Sequence, residues 1–222
     1  MKPNSPPHKS LQNQPFCKVG RRRFSCDMAG DEERILINKG RRETPPLSRS
    51  EVAALIRAAE NPRDKAFIAM LFLTAGRVSE VLSLRRADLD VEGDYLVVRL
   101  KTLKRRDSLP WRFIPIPLEE PLLQPIFRWL RECRGEFLFD FSRQYAWQLL
   151  RRLGHNALGR RVWPHLLRHS RLTELGSHLT IVELCQFAGW RLPDAFGEAR
   201  TYLHLNWRSY AHKIPKGGRE HV

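Results

Sequence analysis

Residues 164–175 read Pro-His-Leu-Leu-Arg-His-Ser-Arg-Leu-Thr-Glu-Leu. Pro164 suits the first turn of a helix, where its missing N–H costs nothing, and Gly176 suits the residue after the last turn. The stretch predicts a helix over His165–Leu175 on which His165 and Arg168, three residues apart, share a face beside His169. A guanidinium is a planar fork of donors matched to two phosphate oxygens, and an imidazole titrates near neutrality, so this face suits a phosphate and a proton transfer. Taken alone the pattern is weak, because His-x-x-Arg arises often by chance and equally describes an ordinary surface pair. His165 and His169 also have the i,i+4 spacing of zinc-binding histidines, but Leu166 stands where a metalloprotease needs its glutamate base, so no metal is expected.

Working outward from this helix, Thr180 and Glu183 form a capping box ahead of Leu184 and Phe187, and Gly189 is placed to end that helix. Upstream, helical spacing runs through Tyr145, Leu149, Leu150 and Leu153 after Ser142, and through Leu122, Leu123, Ile126, Phe127 and Leu130 from Glu119 onward. Residues 95–100 and 112–116 are β-rich runs around a basic connection, Lys101 to Pro110, and predict a small antiparallel hairpin. Residues 67–73 are apolar on nearly every face after Asn61-Pro62, which marks a buried central helix. Ser48 and Glu51 form another capping box at the start of the globular part. The expected fold is α+β, mainly α, with a small antiparallel sheet.

Composition narrows the partner. The 222 residues carry 39 Lys and Arg against 24 Asp and Glu, a formal charge of +15, with 42% hydrophobic residues, enough for a core. A positive field of that size points to nucleic acid, since an acidic protein partner would call for a localised patch that the sequence lacks. Cys17, Cys26, Cys133 and Cys185 are too few and too scattered for a disulfide scaffold, and none has CxxC spacing, which indicates a reducing compartment. No stretch reaches the roughly 18 apolar residues of a membrane helix, and the N-terminus lacks the apolar core of a signal peptide. A cytoplasmic, DNA-associated location is expected, with no membrane partner. Residues 1–46 hold the runs Gly20-Arg21-Arg22-Arg23 and Lys39-Gly40-Arg41-Arg42 around one short apolar stretch, and read as a basic arm or linker, either solvated or lying along phosphates.

The order of the motifs is more specific than any one of them: Thr74-Ala75-Gly76-Arg77-Val78-Ser79-Glu80, then Lys101-Thr102, His165-Leu-Leu-Arg168-His169-Ser170, Ala188-Gly189-Trp190 and Arg200-Thr201-Tyr202-Leu203-His204. This series resembles the catalytic domain of the tyrosine recombinase (phage integrase) family over residues 47–205, leaving 206–222 as a C-terminal tail. The stretch from His165 through Gly189-Trp190 to Tyr202 is most similar to the archaeal branch of virus and plasmid integrases, enzymes of mobile elements. The resemblance implies DNA cleavage and rejoining through a 3′-phosphotyrosyl link to Tyr202, without metal or other cofactor, on double-stranded DNA and by a homotetramer. In those terms Arg77 and Arg168 neutralise charge on the phosphorane, Lys101 protonates the departing 5′-oxygen, and His165 assists proton removal from Tyr202. Lys104, Arg105 and Arg106 become DNA contacts, and Glu80 a structural partner for a nearby basic group.

Several features depart from the family pattern. Trp190 stands where most members carry His, and its indole N–H can replace an imidazole as donor. The connection from Arg191 to Thr201 is longer than usual, which suggests a loosely held tyrosine. Only 46 residues precede the catalytic region, where members usually carry a helical domain that closes a clamp on DNA; the expectation is either a catalytic fragment or a protein that works without the usual clamp. Among the other tyrosines, Tyr95 lies in a strand, Tyr145 in a helix and Tyr210 beyond the motif, and Tyr210 is the first alternative nucleophile. Two rival activities stand beside recombination: relaxation of supercoils in the manner of a type IB topoisomerase, and DNA binding by a regulator of the same fold that no longer cleaves. The full residue set argues against the second.

Overall fold

A computed structural model of the chain describes residues 44–101, 111–190 and 206–218. The arm up to residue 43, the segment that includes Lys104, Arg105 and Arg106, and the segment that includes Tyr202 lie outside the described residues. Helix α1 (Arg49–Ala58) begins with the expected reciprocal cap: the Glu51 N–H donates to Ser48 Oγ at 3.2 Å, and the Ser48 N–H to the Glu51 carboxylate at 2.8 Å. Helix α2 (Pro62–Leu73) is capped by Asn61, whose side-chain oxygen accepts from the Asp64 N–H at 2.9 Å. From Ala66 to Leu73 every residue of α2 is buried, and α1, α4 (Gln124–Glu132) and α6 (Pro164–Leu175) pack around it. The apolar run sits at the centre because it has no polar face to turn to water.

The sheet has three strands where the sequence predicted two. Strands β2 (Tyr95–Lys101) and β3 (Trp111–Pro117) pair antiparallel with Leu100 opposite Arg112 and Lys101 opposite Trp111. Strand β1 (Leu89–Glu92) adds to the free edge of β2 through the two-residue turn Gly93-Asp94, with Gly93 at φ +57°. Four residues with charges at alternate positions are too short a run to show strand periodicity, and the Gly-Asp pair is the signal that marks the turn. Pro115 and Pro117 are tolerated because β3 is the other edge of the sheet.

Helix α5 (Arg143–Leu158) lies against α1, and α6 begins at Pro164 as expected. Behind α6 a buried polar clasp fixes its position. Arg49 donates to both oxygens of Glu120, at 2.9 and 2.8 Å, and also pairs with Glu174, while Arg171 donates to the second Glu174 oxygen at 2.6 Å. The Gly217 N–H closes the clasp on Glu120 at 3.2 Å. Residues 206–218 pack in cis: two 3₁₀ turns (Trp207–Ser209 and Ala211–Lys213) bury Trp207, Tyr210 between them and Ile214 after them, against β3 and α7 (Ile181–Ala188).

Truncation of the α2 spine measures how much the fold depends on it. Leu71→Ala opens a cavity at a fully buried position and is expected to lower the unfolding free energy by about 2–5 kcal/mol in urea titration.

Candidate active site

Arg77 stands at the N-cap of α3 (Val78–Leu82), immediately after a tight turn. Thr74 builds that turn: its hydroxyl donates to the Met70 carbonyl at 2.6 Å and accepts from the Gly76 N–H at 3.1 Å. Ala75 is left at φ +44°, a left-handed conformation that a residue with a Cβ adopts only under constraint. Gly76 has no room for a side chain, since a Cβ there would lie 2.5 Å from Val81 Cγ2. The turn therefore delivers Arg77 to one place, half-exposed at the mouth of the site.

Below it lies Glu80, fully buried. One carboxylate oxygen accepts from Arg77 Nη1 at 2.7 Å; the other accepts from the Arg77 backbone N–H at 3.0 Å and from Arg112 Nη2 at 2.7 Å. Burial by itself would push the Glu80 carboxyl up, but Arg112 first and then Arg77 hold it below the ordinary carboxylate range. Arg112 is 3% exposed, and its Nη1 donates to the Phe187 carbonyl near the end of α7 at 2.7 Å. Sequence reading anticipated a structural role for Glu80 and passed over Arg112. The missed signal is its phase on the strand: Arg112, Ile114 and Ile116 alternate, so Arg112 had to share the inward face of β3 with two isoleucines.

Helix α6 supplies His165 in its first turn and Arg168 one turn on. His165 is exposed, whereas Arg168 is buried and staples two other elements together: Nη1 donates to the Ala75 carbonyl of the strained turn and Nη2 to the Ala188 carbonyl of α7 at 2.8 Å. This is no ordinary surface pair. Burial, followed by repulsion from Arg112 and Arg77 and opposed by Glu80, pushes the Arg168 guanidinium down to about 10, so it keeps its charge at neutral pH. Partial burial and the positive charge of Arg168, His169 and Arg77 lower the His165 imidazole below its usual value, which leaves it neutral and able to accept a proton.

Gly189 ends α7 at φ +66°, and the Trp190 N–H donates to the Cys185 carbonyl at 2.8 Å, which turns the indole out into solvent with the Arg168 guanidinium 5.9 Å from its ring. Arg77, His165, Arg168 and Trp190 are thus brought together by the ends of three helices. Lys101 is the last residue of β2 and is exposed, with its ammonium 6.0 Å from the Trp111 ring; its neighbour Leu100 points inward toward the Gly76 turn. Tyr202 lies outside the described residues. Tyr210, kept as an alternative nucleophile, is overturned: it is 1% exposed with its ring against Phe187, and burial raises its phenol above the ordinary range, so it has neither access to a phosphate nor an easily lost proton. Tyr145 is held through a 2.7 Å hydrogen bond from its hydroxyl to Asp64.

Residues 46–206 match the family model described as "Phage integrase family". The chain belongs to the phage integrase family. Tyrosine recombinase XerA of Pyrococcus furiosus is 32% identical over 167 residues, covering 68% of this chain and 56% of the relative. XerD of Mycobacterium leprae is 27% identical over 175 residues, covering 65% and 53%. Among solved structures, that of XerA recombinase aligns with a TM-score of 0.57 at 23% identity over 78% of this chain and 66% of that one, and that of XerH bound to palindromic difH substrate, a post-cleavage complex, with 0.55 at 20% identity over 73% and 50%. The solved structures share the tyrosine recombinase catalytic fold, mainly helical with a small antiparallel sheet, as the sequence led one to expect. The chain spans about half the length of the curated relatives it matches. Archaeal XerA and bacterial XerD proteins are both among the relatives.

The electrostatics of His165 are open to direct measurement. By NMR titration its midpoint should lie below that of a histidine in an unstructured peptide, and an anion such as sulfate seated beside Arg77 and Arg168 should raise it. The sign follows from the folded state resisting protonation: His165 contributes stability above the ordinary histidine pKa, and that contribution falls away as pH drops through it.

Proposed function

We propose that this domain cleaves and rejoins double-stranded DNA through a covalent 3′-phosphotyrosyl link to Tyr202, as a site-specific recombinase. The observation that carries the reading is the charge balance of the site. Arg77 and Arg112 pair with a single carboxylate, Glu80, and the buried Arg168, which donates to the Ala75 and Ala188 carbonyls, lies within electrostatic reach of all three, so three guanidinium groups stand against one negative charge. Buried charges are normally paired, so an excess of this kind is stabilised by an anion that completes it. A phosphodiester brings one negative charge and its five-coordinate transition state adds another, so the site is complementary to the transition state more than to the substrate.

The roles then follow from the resemblance to the family. The Tyr202 oxygen attacks phosphorus while its proton leaves toward His165, which is neutral and exposed beside Arg168. The bond from phosphorus to the 5′-oxygen breaks, and Lys101, at the end of β2, returns a proton to that oxygen. Arg77 and Arg168 face the non-bridging oxygens, with the Trp190 N–H as a further donor. Rejoining is the same path reversed, with a 5′-hydroxyl as nucleophile, so the bond energy is conserved. Lys104, Arg105 and Arg106 supply backbone contacts near the leaving strand, and the +15 charge draws in the duplex. Strand exchange between two duplexes calls for an assembly of four copies on DNA.

The test is a random-sequence pool of nicked duplexes incubated with the chain in EDTA, with covalent adducts captured on denaturing gels and sequenced. An adduct is expected for the wild type, and Tyr202→Phe should abolish it while leaving binding in place; an adduct with the Phe variant would refute the assignment. On a recovered duplex, Lys101→Ala should slow cleavage by about a hundredfold or more. A 5′-bridging sulfur, whose leaving group needs no proton, should restore the Lys101 variant but not Arg168→Ala. Equal rescue of both would show that the two residues serve the same charge.

A further inference from the structure

We propose that Arg112 is a positioning residue for strand transfer, aiming Arg77 through Glu80 and fixing Trp190 through the end of α7. The proposal rests on the strand-transfer reading for its kinetic consequence and on geometry alone for its structural one. Arg112 acts on the site through the groups it holds. It is 3% exposed, Nη2 is committed to Glu80 and Nη1 to the Phe187 carbonyl, each at 2.7 Å, and Nε is buried without a partner. A Cβ on Gly189 would lie 3.1 Å from Arg112 Cδ, so the backbone just before Trp190 closes directly over the arginine.

The two ends of this guanidinium act on two parts of the site. Glu80 is the only group that holds the Arg77 side chain among the described residues, and it does so with one oxygen while the other is pinned by Arg112 and the Arg77 N–H. Without Arg112 the carboxylate keeps a single charged partner and can rotate, and the Arg77 fork rotates with it. At the other end, Arg112 and Arg168 cap the successive carbonyls of Phe187 and Ala188, the negative end of the α7 dipole, from which Trp190 projects. Arginine suits this task because its planar fork bridges two acceptors on different elements, where the point charge of lysine would hold one.

A structural role alone would slow reaction on every substrate equally, whereas misaimed Arg77 matters only where a charged oxygen has to be neutralised. The experiment compares wild type, Arg112→Lys, Arg112→Gln and Arg77→Ala in the full chain, on a duplex recovered from the random-sequence pool that bears either the natural phosphate or a neutral methylphosphonate at the cleavage position. With the phosphate, Arg112→Gln should slow adduct formation by about a hundredfold, Arg112→Lys by less. With the methylphosphonate, the deficits of Arg112→Gln and Arg77→Ala should shrink by the same factor. Independently of any activity, the side-chain ¹⁵N spectrum of Arg77 should show separate, slowly exchanging guanidinium signals in the wild type that collapse to an average in Arg112→Gln and in Glu80→Gln. Should Arg112→Gln fail to fold, Arg112→Lys and Glu80→Gln carry the spectroscopic comparison. Unchanged Arg77 signals in a folded variant, or equal slowing on both substrates, would overturn the proposal. A wild type that forms no adduct with any duplex would overturn strand transfer instead, and the Arg77 spectrum would still decide the positioning claim.

Discussion

A carboxylate with no water around it is the constraint on which the site depends. Glu80 is fully buried, and its charge is tolerable only because Arg77 and Arg112 surround it. Removing one partner from such a pair typically costs about 3–5 kcal/mol, because the remaining charge stays desolvated. The three groups therefore have to assemble together or not at all, and they come from three places: the N-cap of α3, its first turn, and an inward position of β3. Their assembly ties the sheet to the helical core and leaves Arg77 facing outward with, among the described residues, one of its terminal nitrogens committed.

Arg168 does for the other side of the site what Glu80 does for Arg77. It ties the strained Ala75 turn to the last carbonyl of α7, so the two backbone segments that carry Arg77 and Trp190 are held to one guanidinium. Strain at Ala75 persists because Thr74, Gly76 and Arg168 over-determine the turn. Burial first, and the neighbouring positive charges after it, hold the Arg168 and His165 pKa values down. A site prepared in this way has its reorganisation completed during folding, which is what the proposed reaction asks of donors to a phosphate. The clasp of Arg49, Glu120, Arg171 and Glu174 keeps α6 in place from behind and anchors Gly217 of the last described segment.

Most of the elements, and most of the residues that line the site, were legible in the sequence. Ser48 with Glu51, Asn61-Pro62, Pro164, Thr180 with Glu183 and Gly189 each mark a helix end by a hydrogen bond or a dihedral that involves neighbours within four residues. Such signals are local, so the chain carries them wherever it goes. The order of Arg77, Lys101, Arg168, Gly189-Trp190 and Tyr202 named the family for the same reason, since spacing along the chain is itself a sequence property. Strand β1 was missed because four residues are too few for an alternation to register.

The tertiary structure alone decided which charges meet and which groups lose their water. Arg112 and Glu80 are 32 residues apart, and Arg168 and Ala75 are 93 apart; nothing local in either stretch records the other. Tyr210 looked as available as any tyrosine until Phe187 and β3 closed over it. Sequence by itself determined the elements, the family and the residue types of a phosphate site, because caps, periodicity and motif order act between near neighbours. Burial and pairing were settled only in three dimensions, because desolvation depends on everything that packs around a group, whatever its distance along the chain.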